Sequence, residues 1–230
     1  MKPSQIIAFF YELLLLPPDS RHLISRFVSF FSTSASTHHI REAWSNELQV
    51  EVSDDTWSEA LTRIHKCSIN VRYKLIQFKV IHRLHYSKPK LHRIYPAVSP
   101  LCDRCGGAEG SLSHLFWSCP RLHKFWCEIF QFLSAAYEVD ITPDPVLALF
   151  GCSESALELS TAIQQALMLG MVAAKKMILL DWKSPTPPCF RKWLNEVTGI
   201  IQMEWLRFHK SNSQKRFLDI WGPLLDRLKN

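Results

Sequence analysis

The chain has 230 residues, of which 47% are hydrophobic and 21% charged, and its formal net charge is +6. This length and apolar content exclude a disordered tail and predict a packed protein of one or two domains. Only seven glycines occur, which is few for a turn-rich β protein, so the composition favours long helices.

The apolar segment at residues 6–16 has some features of a secretory signal peptide. Glu12 interrupts it, and it ends in Pro17-Pro18-Asp19-Ser20 rather than in a small-residue cleavage site. We therefore interpret it as an amphipathic or buried helix, followed by a polar linker at residues 32–37. No run of eighteen apolar residues occurs in the chain, so we expect no membrane span.

Two helices are predicted next, at residues 38–48 and 54–66. Ser53 is placed to cap the second, and Asp54 and Asp55 fall in its first turn, where negative charge is favourable. Paired aspartates also occur in polymerase metal sites, but such a site needs a hairpin and a third carboxylate upstream. No strand pattern surrounds these residues, so we favour the cap.

A longer helix is predicted at residues 69–86, because apolar residues recur there at helical spacing: Val71, Leu75, Phe78, Ile81 and Leu84. Arg72, Lys79 and Arg83 form one narrow stripe opposite Ile81. The apolar residues are expected to face the core and the cations to face solvent.

The positive charge of the chain is local. Nine Lys and Arg residues and no acidic residue lie between Arg63 and Arg93, whereas the remaining 18 basic residues are outnumbered by 21 acidic ones. Histidines and tyrosines are interleaved with these cations. Cations bind phosphates and aromatic rings stack on unpaired bases, so the block predicts contact with RNA or single-stranded nucleic acid. The alternative is a basic helix face that is merely solvated.

The most specific motif is C-x2-C-x8-H-x4-C, formed by Cys102, Cys105, His114 and Cys119. Three thiols and one imidazole are the ligand set of a closed, structural zinc site. Gly106-Gly107 permits the turn after the second cysteine, and Cys119 precedes Pro120, which begins a helix. His123 is an alternative fourth ligand, one helical turn beyond Cys119; we prefer His114. Cys127 is two turns beyond Cys119 and should not bind the same metal ion.

Helices are also predicted in the rest of the chain. An amphipathic helix is predicted at residues 120–135, a connector at 140–151 and a central buried helix at 156–182. Further helices are predicted at 191–210 and 214–228, the last interrupted at Gly222-Pro223.

We therefore predict an all-α fold, a multi-helix bundle-like assembly with a small inserted Cys-Cys-His-Cys zinc knuckle. Three regions are expected: a helical region with the basic helix at 1–98, the knuckle and its following helix at 99–137, and a C-terminal helical region at 138–230. The odd number of cysteines, seven, and the metal motif favour a reducing, intracellular location, nuclear or cytoplasmic, rather than secretion.

Several of the segments described above resemble those of the carboxy-terminal region of the reverse-transcriptase polyprotein of LINE-type (non-LTR) retrotransposons. The segments that carry the resemblance occur in order along most of the chain. They are Pro3-Ser4-Gln5-Ile6, Leu16-Pro17-Pro18-Asp19, Ser53-Asp54-Asp55-Thr56-Trp57, Lys79-Val80-Ile81-His82-Arg83, the Cys102/Cys105/His114/Cys119 knuckle, Phe150-Gly151, Ala173-Ala174-Lys175-Lys176, Asp181-Trp182-Lys183 and Trp221.

The resemblance implies a helical module whose knuckle contacts the RNA of the element and supports target-primed reverse transcription. The endonuclease and polymerase domains of the family, with their catalytic carboxylates, are not in these residues, so we expect no enzyme activity. The expected partner is RNA or single-stranded nucleic acid, with neither a membrane nor a small-molecule substrate, and the expected contacts are Arg72, Lys79, Arg83, Lys88, Lys90, Arg93 and Arg104. The alternative is a helical protein-interaction module with a purely structural zinc site, which packed on an absent polymerase domain.

Overall fold

A computed structural model describes residues 37–229 of the chain, and within them the fold is all-α, as predicted. The helix predicted at 6–16 and most of the linker at 32–37 lie outside the described residues. Residues 37–229 contain ten α-helices and one π-helical turn, and no strand. The α-helices are α1 (His38–Leu48), α2 (Asp54–Arg63), α3 (Val71–Ile81), α4 (Lys88–Ile94), α5 (Pro120–Tyr137), α6 (Pro145–Phe150), α7 (Glu154–Leu157), α8 (Thr161–Leu180), α9 (Phe190–Lys210) and α10 (Gln214–Lys229); the π-helical turn is His114–Ser118.

Several helix ends are fixed by the residues that the sequence places there. The Ser53 hydroxyl accepts a hydrogen bond from the backbone N–H of Thr56, so it caps α2 as predicted. Asp144 caps α6 in the same way, and Gly151 ends that helix in the left-handed conformation with φ of 76°. The connector predicted at 140–151 is therefore wrong in its second half, where Val146 to Phe150 are buried.

Helix α8 lies at the centre of the molecule and packs against α3, α6, α9 and α10. Gly170 lies at the contact with α9: a Cβ at this position would be in ordinary contact with the Trp193 ring, at 3.5 Å, and Nε1 of Trp193 donates to the Gly170 carbonyl. Among the described residues, α8 alone is long and apolar enough to cross a membrane, but 72% of its apolar window is buried within the protein. This burial is typical of the core helix of a packed protein.

The predicted helix at 69–86 is shorter than expected and buries a different face. It ends at Ile81, and Arg83 has a positive φ of 55° that stops it. Its buried residues are Tyr73, Gln77, Val80 and Ile81. The expectation that the whole apolar stripe faces the core is wrong, because Val71, Leu75, Phe78 and Leu84 are exposed and only Ile81 is buried.

Two other predicted elements also differ. The central helix predicted at 156–182 begins at Thr161, capped by Ser160, and is preceded by the separate short helix α7. Helix α10 continues through Pro223 instead of breaking there. A proline inside a helix removes one hydrogen bond, and here the buried neighbours Trp221 and Leu224 hold the segment against the core.

The described residues from Trp44 onward form one compact unit. Helices from either side of the predicted boundaries at 98 and 137 contact each other: α3 packs on α8, and α5 packs on α10. The segment from Leu101 to Cys119 is connected to these helices through the π-helical turn, which packs against α5 and α6.

Candidate metal centre and basic surface

The four predicted ligand residues, Cys102, Cys105, His114 and Cys119, lie together. Their ligand atoms all lie within 4.8 Å of one another, a cluster that could hold a metal ion. The Cys102 and Cys119 sulfurs are 3.9 Å apart, and the Cys105 sulfur is 3.3 Å from Nε2 of His114. Three of the four residues are buried and Cys105 is half-buried, so protein surrounds most of the centre.

The backbone of the loop brings these side chains together. The Gly106 N–H donates to the Cys102 carbonyl, and Gly106 has a positive φ of 67°, which closes the turn between the first two ligands. A single antiparallel bridge between Leu101 and Glu109 holds the base of the loop. Cys119 then stands at the N-cap of α5, and its N–H donates to the His114 carbonyl.

The loop also favours the ligand-competent protonation states at two positions. Burial opposes ionisation of Cys105, but hydrogen bonds from the Gly107 and Ala108 N–H groups and from the neighbouring thiols hold its pKa below the ordinary value. Burial and the Arg104 charge lower the pKa of His114, which favours the neutral imidazole that binds metals. Burial raises the pKa of Cys119 to about 11, so this thiol needs a metal ion to ionise near neutral pH.

The alternative ligand, His123, does not belong to the cluster. Its ring nitrogens lie 3.7 and 3.8 Å from the sulfur of Cys127, one helical turn along α5. The geometry therefore supports His114 as the fourth ligand, and it separates Cys127 from the centre as expected.

Three of the cations expected to contact nucleic acid are engaged within the protein. Arg104 is buried, and its Nη1 donates to the Leu115 carbonyl at 2.9 Å. Arg83 is bonded to Glu47 and lies over the Trp44 ring, 4.4 Å from its centroid. Lys88 forms an ion pair with Asp103 at 2.7 Å. We therefore remove Arg104 from the set of candidate nucleic-acid contacts, because its guanidinium has no access to a phosphate.

The other four cations lie at the surface. Arg72 and Lys79 are exposed on α3, and Lys90 and Arg93 are exposed on α4. Lys90 lies 4.7 Å from the centroid of the exposed Tyr86 ring, so the cation and the aromatic surface occur together.

Helix α4 is attached to the loop that carries the four candidate metal ligands. The Lys88 N–H donates to the Gly110 carbonyl at 2.9 Å, and the Lys88 ammonium pairs with Asp103, between the first two ligands. The contact is close, since a Cβ on Gly110 would lie 2.6 Å from Cγ of Lys88. None of the residues of α4 is buried, and this attachment joins the helix to the loop.

Glu47 is a second link that the sequence did not reveal. One of its carboxylate oxygens accepts from Arg83 and the other accepts from the Ser113 N–H, next to the ligand His114. Glu47 lies 66 residues from Ser113, and no local pattern marks such a long-range pair.

No protein-family model matches the sequence.

Proposed function

We propose that this protein is a zinc-stabilised module that binds RNA or another single-stranded nucleic acid and has no catalytic centre of its own. The observation that carries this proposal is the attachment of α4 to the metal-binding loop through Lys88, Gly110 and Asp103. A bound metal ion would fix this loop, and the loop would in turn fix a helix that carries cations and no acidic residue. The metal ion would then organise a surface for phosphates.

Zinc is the metal that fits the cluster best. Three thiolates and one imidazole are typical zinc ligands. With zinc–sulfur bonds of about 2.3 Å, two sulfurs of a tetrahedral site lie roughly 3.8 Å apart. The Cys102 and Cys119 sulfurs are separated by 3.9 Å, close to that value. When bound, the ion would cross-link the loop and would not take part in a reaction, because four protein ligands leave no position for a substrate.

The proposed nucleic-acid surface consists of Arg72, Lys79, Lys90 and Arg93, together with the exposed rings of Tyr86 and Tyr95. The cations suit phosphates and the rings suit stacking on unpaired bases. The resemblance to the carboxy-terminal region of LINE-type reverse transcriptases supports the same proposal. It also supports an intracellular location, nuclear or cytoplasmic, where RNA and reduced thiols are both available.

A salt titration tests this function. The zinc-loaded protein is titrated with a hairpin RNA and an unstructured RNA at several salt concentrations, and the slope of log affinity against log salt is measured. Lys90→Gln/Arg93→Gln should reduce the slope on single strands by about 1.4, from about 0.7 per lost phosphate contact. The matched control, Lys124→Gln/Lys229→Gln, removes the same charge from exposed sites on α5 and α10 and should leave the slope unchanged. Equal slopes for both double variants would contradict the proposed surface.

A protein-interaction module with a structural zinc site is the second candidate. The exposed apolar residues Val71, Leu75 and Phe78 on α3 favour it, because contiguous apolar surface is common where a partner protein packs. RNA binding that is absent at low salt in the zinc-loaded protein would leave this candidate as the better one.

A further inference from the structure

A pocket opens between the start of α3 and the middle of α9, away from the metal cluster. Its volume is about 350 Å³, and residues that line it include Ile69, Asn70, Glu196, Gly199, Met203 and Glu204. Pockets for small ligands measure about 300–1,000 Å³ and combine apolar walls with a few polar groups. This pocket has both properties.

The apolar walls are open at the surface. Ile69 is 47% exposed and Met203 is 59% exposed, so both can contact a flat ring from opposite elements. Gly199 lies within the 21-residue helix α9, and no atom lies within 4 Å of the position that its Cβ would occupy. A glycine inside a helix is destabilising relative to alanine. Packing does not require it here, and its missing side chain keeps the pocket open.

The polar wall is formed by two carboxylates. Glu204 is only 2% exposed and accepts from Arg207 on Oε2 at 2.5 Å, so the more accessible carboxylate is Glu196, whose side chain is 20% exposed. Glu196 accepts from the Tyr73 hydroxyl and from Lys176, both on its Oε1. A carboxylate has two oxygens and only accepts hydrogen bonds, so this wall is suited to a ligand that donates them.

We propose that this pocket receives an unpaired nucleobase with an exocyclic amino group, an inference that rests on the proposed function and extends it. The ring would lie against Ile69 and Met203, and its amino group would donate to Glu196, as carboxylates accept from the N4 amino group of cytosine. The exposed cations Lys66 and Arg72 flank the lining segment 68–70 in sequence and are suited to the adjoining phosphates.

Binding of free nucleotides tests the pocket without RNA. The zinc-loaded protein is titrated with CMP and with UMP, which differ at the amino group, and amide NMR shifts are followed. CMP should shift signals of Ile69, Asn70 and Gly199 and bind at least about fivefold tighter than UMP. Glu196→Gln, which keeps the size of the side chain, should abolish this preference.

Blocking the pocket provides the second test. Gly199→Leu should fill it and weaken CMP binding at least tenfold, whereas Gly222→Leu, at another open helical glycine in α10, should bind CMP like the parent. Circular dichroism confirms that each variant folds; if Gly199→Leu does not fold, the comparison of CMP with UMP in the parent and in Glu196→Gln decides.

The outcomes separate this inference from the proposed function. Normal RNA binding by Gly199→Leu, with weakened binding by Lys90→Gln/Arg93→Gln, overturns the pocket and leaves the function. CMP binding at the pocket in a protein that binds no RNA supports the base site and rejects the function. Equal affinity for CMP, UMP and N-acetyl-leucine amide would identify a general apolar slot, of the kind that a partner protein fills, and would overturn base recognition.

Discussion

Two of the cations that the charge pattern predicts to contact nucleic acid are bonded within the protein instead. Arg104 lies between two ligand cysteines and counts toward the basic character of the chain, yet its guanidinium is buried and donates to the Leu115 carbonyl. The Arg83 side chain is likewise bonded to Glu47. A buried cation with an internal partner supports the fold and is not available to a phosphate. Of the predicted set, only the exposed cations are therefore available to a phosphate.

The fourth ligand can be tested by single substitutions. His114→Ala should weaken zinc binding by at least tenfold, because it removes one of four ligands. His123→Ala is the matched control and should retain one zinc ion per chain, since its ring lies against Cys127 instead. Metal content after dialysis against a competing chelator measures both. Loss of zinc in His123→Ala with full retention in His114→Ala would reverse the assignment.

At the scale of elements, we expect the stability of α4 to depend on the loop that carries the four candidate ligands. The helix has no buried residue and is attached through Lys88 to Gly110 and Asp103. Removal of zinc with a chelator should therefore speed amide hydrogen exchange in residues 88–94. Exchange in α8 should change little, because this helix packs mainly against α3, α6, α9 and α10. Equal protection of α4 with and without zinc would show that the loop does not hold it.

The buried face of α3 provides another test. Leu75 is 47% exposed, so Leu75→Ala should change the free energy of unfolding by no more than about 0.5 kcal/mol. Ile81 is fully buried, and Ile81→Ala should cost about 2–5 kcal/mol. Urea unfolding of the zinc-loaded variants measures both values. A large loss for Leu75→Ala would indicate that another surface covers this face.

At the scale of the whole molecule, the core contains a fully buried lysine. Lys175 of α8 is fully buried, and its ammonium donates to the Ala148 and Leu149 carbonyls, both at 2.8 Å. These carbonyls lie at the end of α6, where a positive charge is favourable. Gln77 of α3 donates to the carbonyls of Leu149 and Phe150, so three helices meet at one helix end.

Burial lowers the pKa of Lys175 to about 7, from the ordinary value of 10.5. Between these values the unfolded chain binds more protons than the folded protein, so this residue makes stability rise with pH. Burial raises the pKa of the Cys67 and Cys152 thiols to about 11, and their effect is opposite above pH 9. The contribution of Lys175 is therefore separated from that of Cys67 and Cys152 between pH 7 and 9; the ligand thiols, deprotonated when they bind metal, add a rise of their own that Lys175→Met leaves in place.

Lys175→Met should make the rise in unfolding free energy between pH 7 and 9 less steep than in the parent, because it removes one of the groups that release a proton on folding in this range. Lys176→Met is the control, since its ammonium pairs with Glu196 near the surface. Urea unfolding at fixed zinc concentration across this window measures the slopes. A slope in Lys175→Met equal to that of the parent would assign the pH dependence to other groups.

The sequence by itself determined the features that depend on local spacing. The all-α class follows from apolar periodicity and from capping residues such as Ser53, which act within a few residues of their own position. The set Cys102, Cys105, His114 and Cys119 was also found from spacing, because all four lie within eighteen residues. The nearby His123 remained an alternative until the structure separated it.

The tertiary structure decided which faces are buried and which charges are free. Val71, Leu75 and Phe78 have the same helical spacing whether they face the core or solvent, so only the position of α8 against the opposite side of α3 selects the buried face. The pairing of Glu47 with Ser113 and the pocket between α3 and α9 join residues far apart in the chain. Such contacts depend on how helices pack in space, which the periodicity of a single helix does not specify.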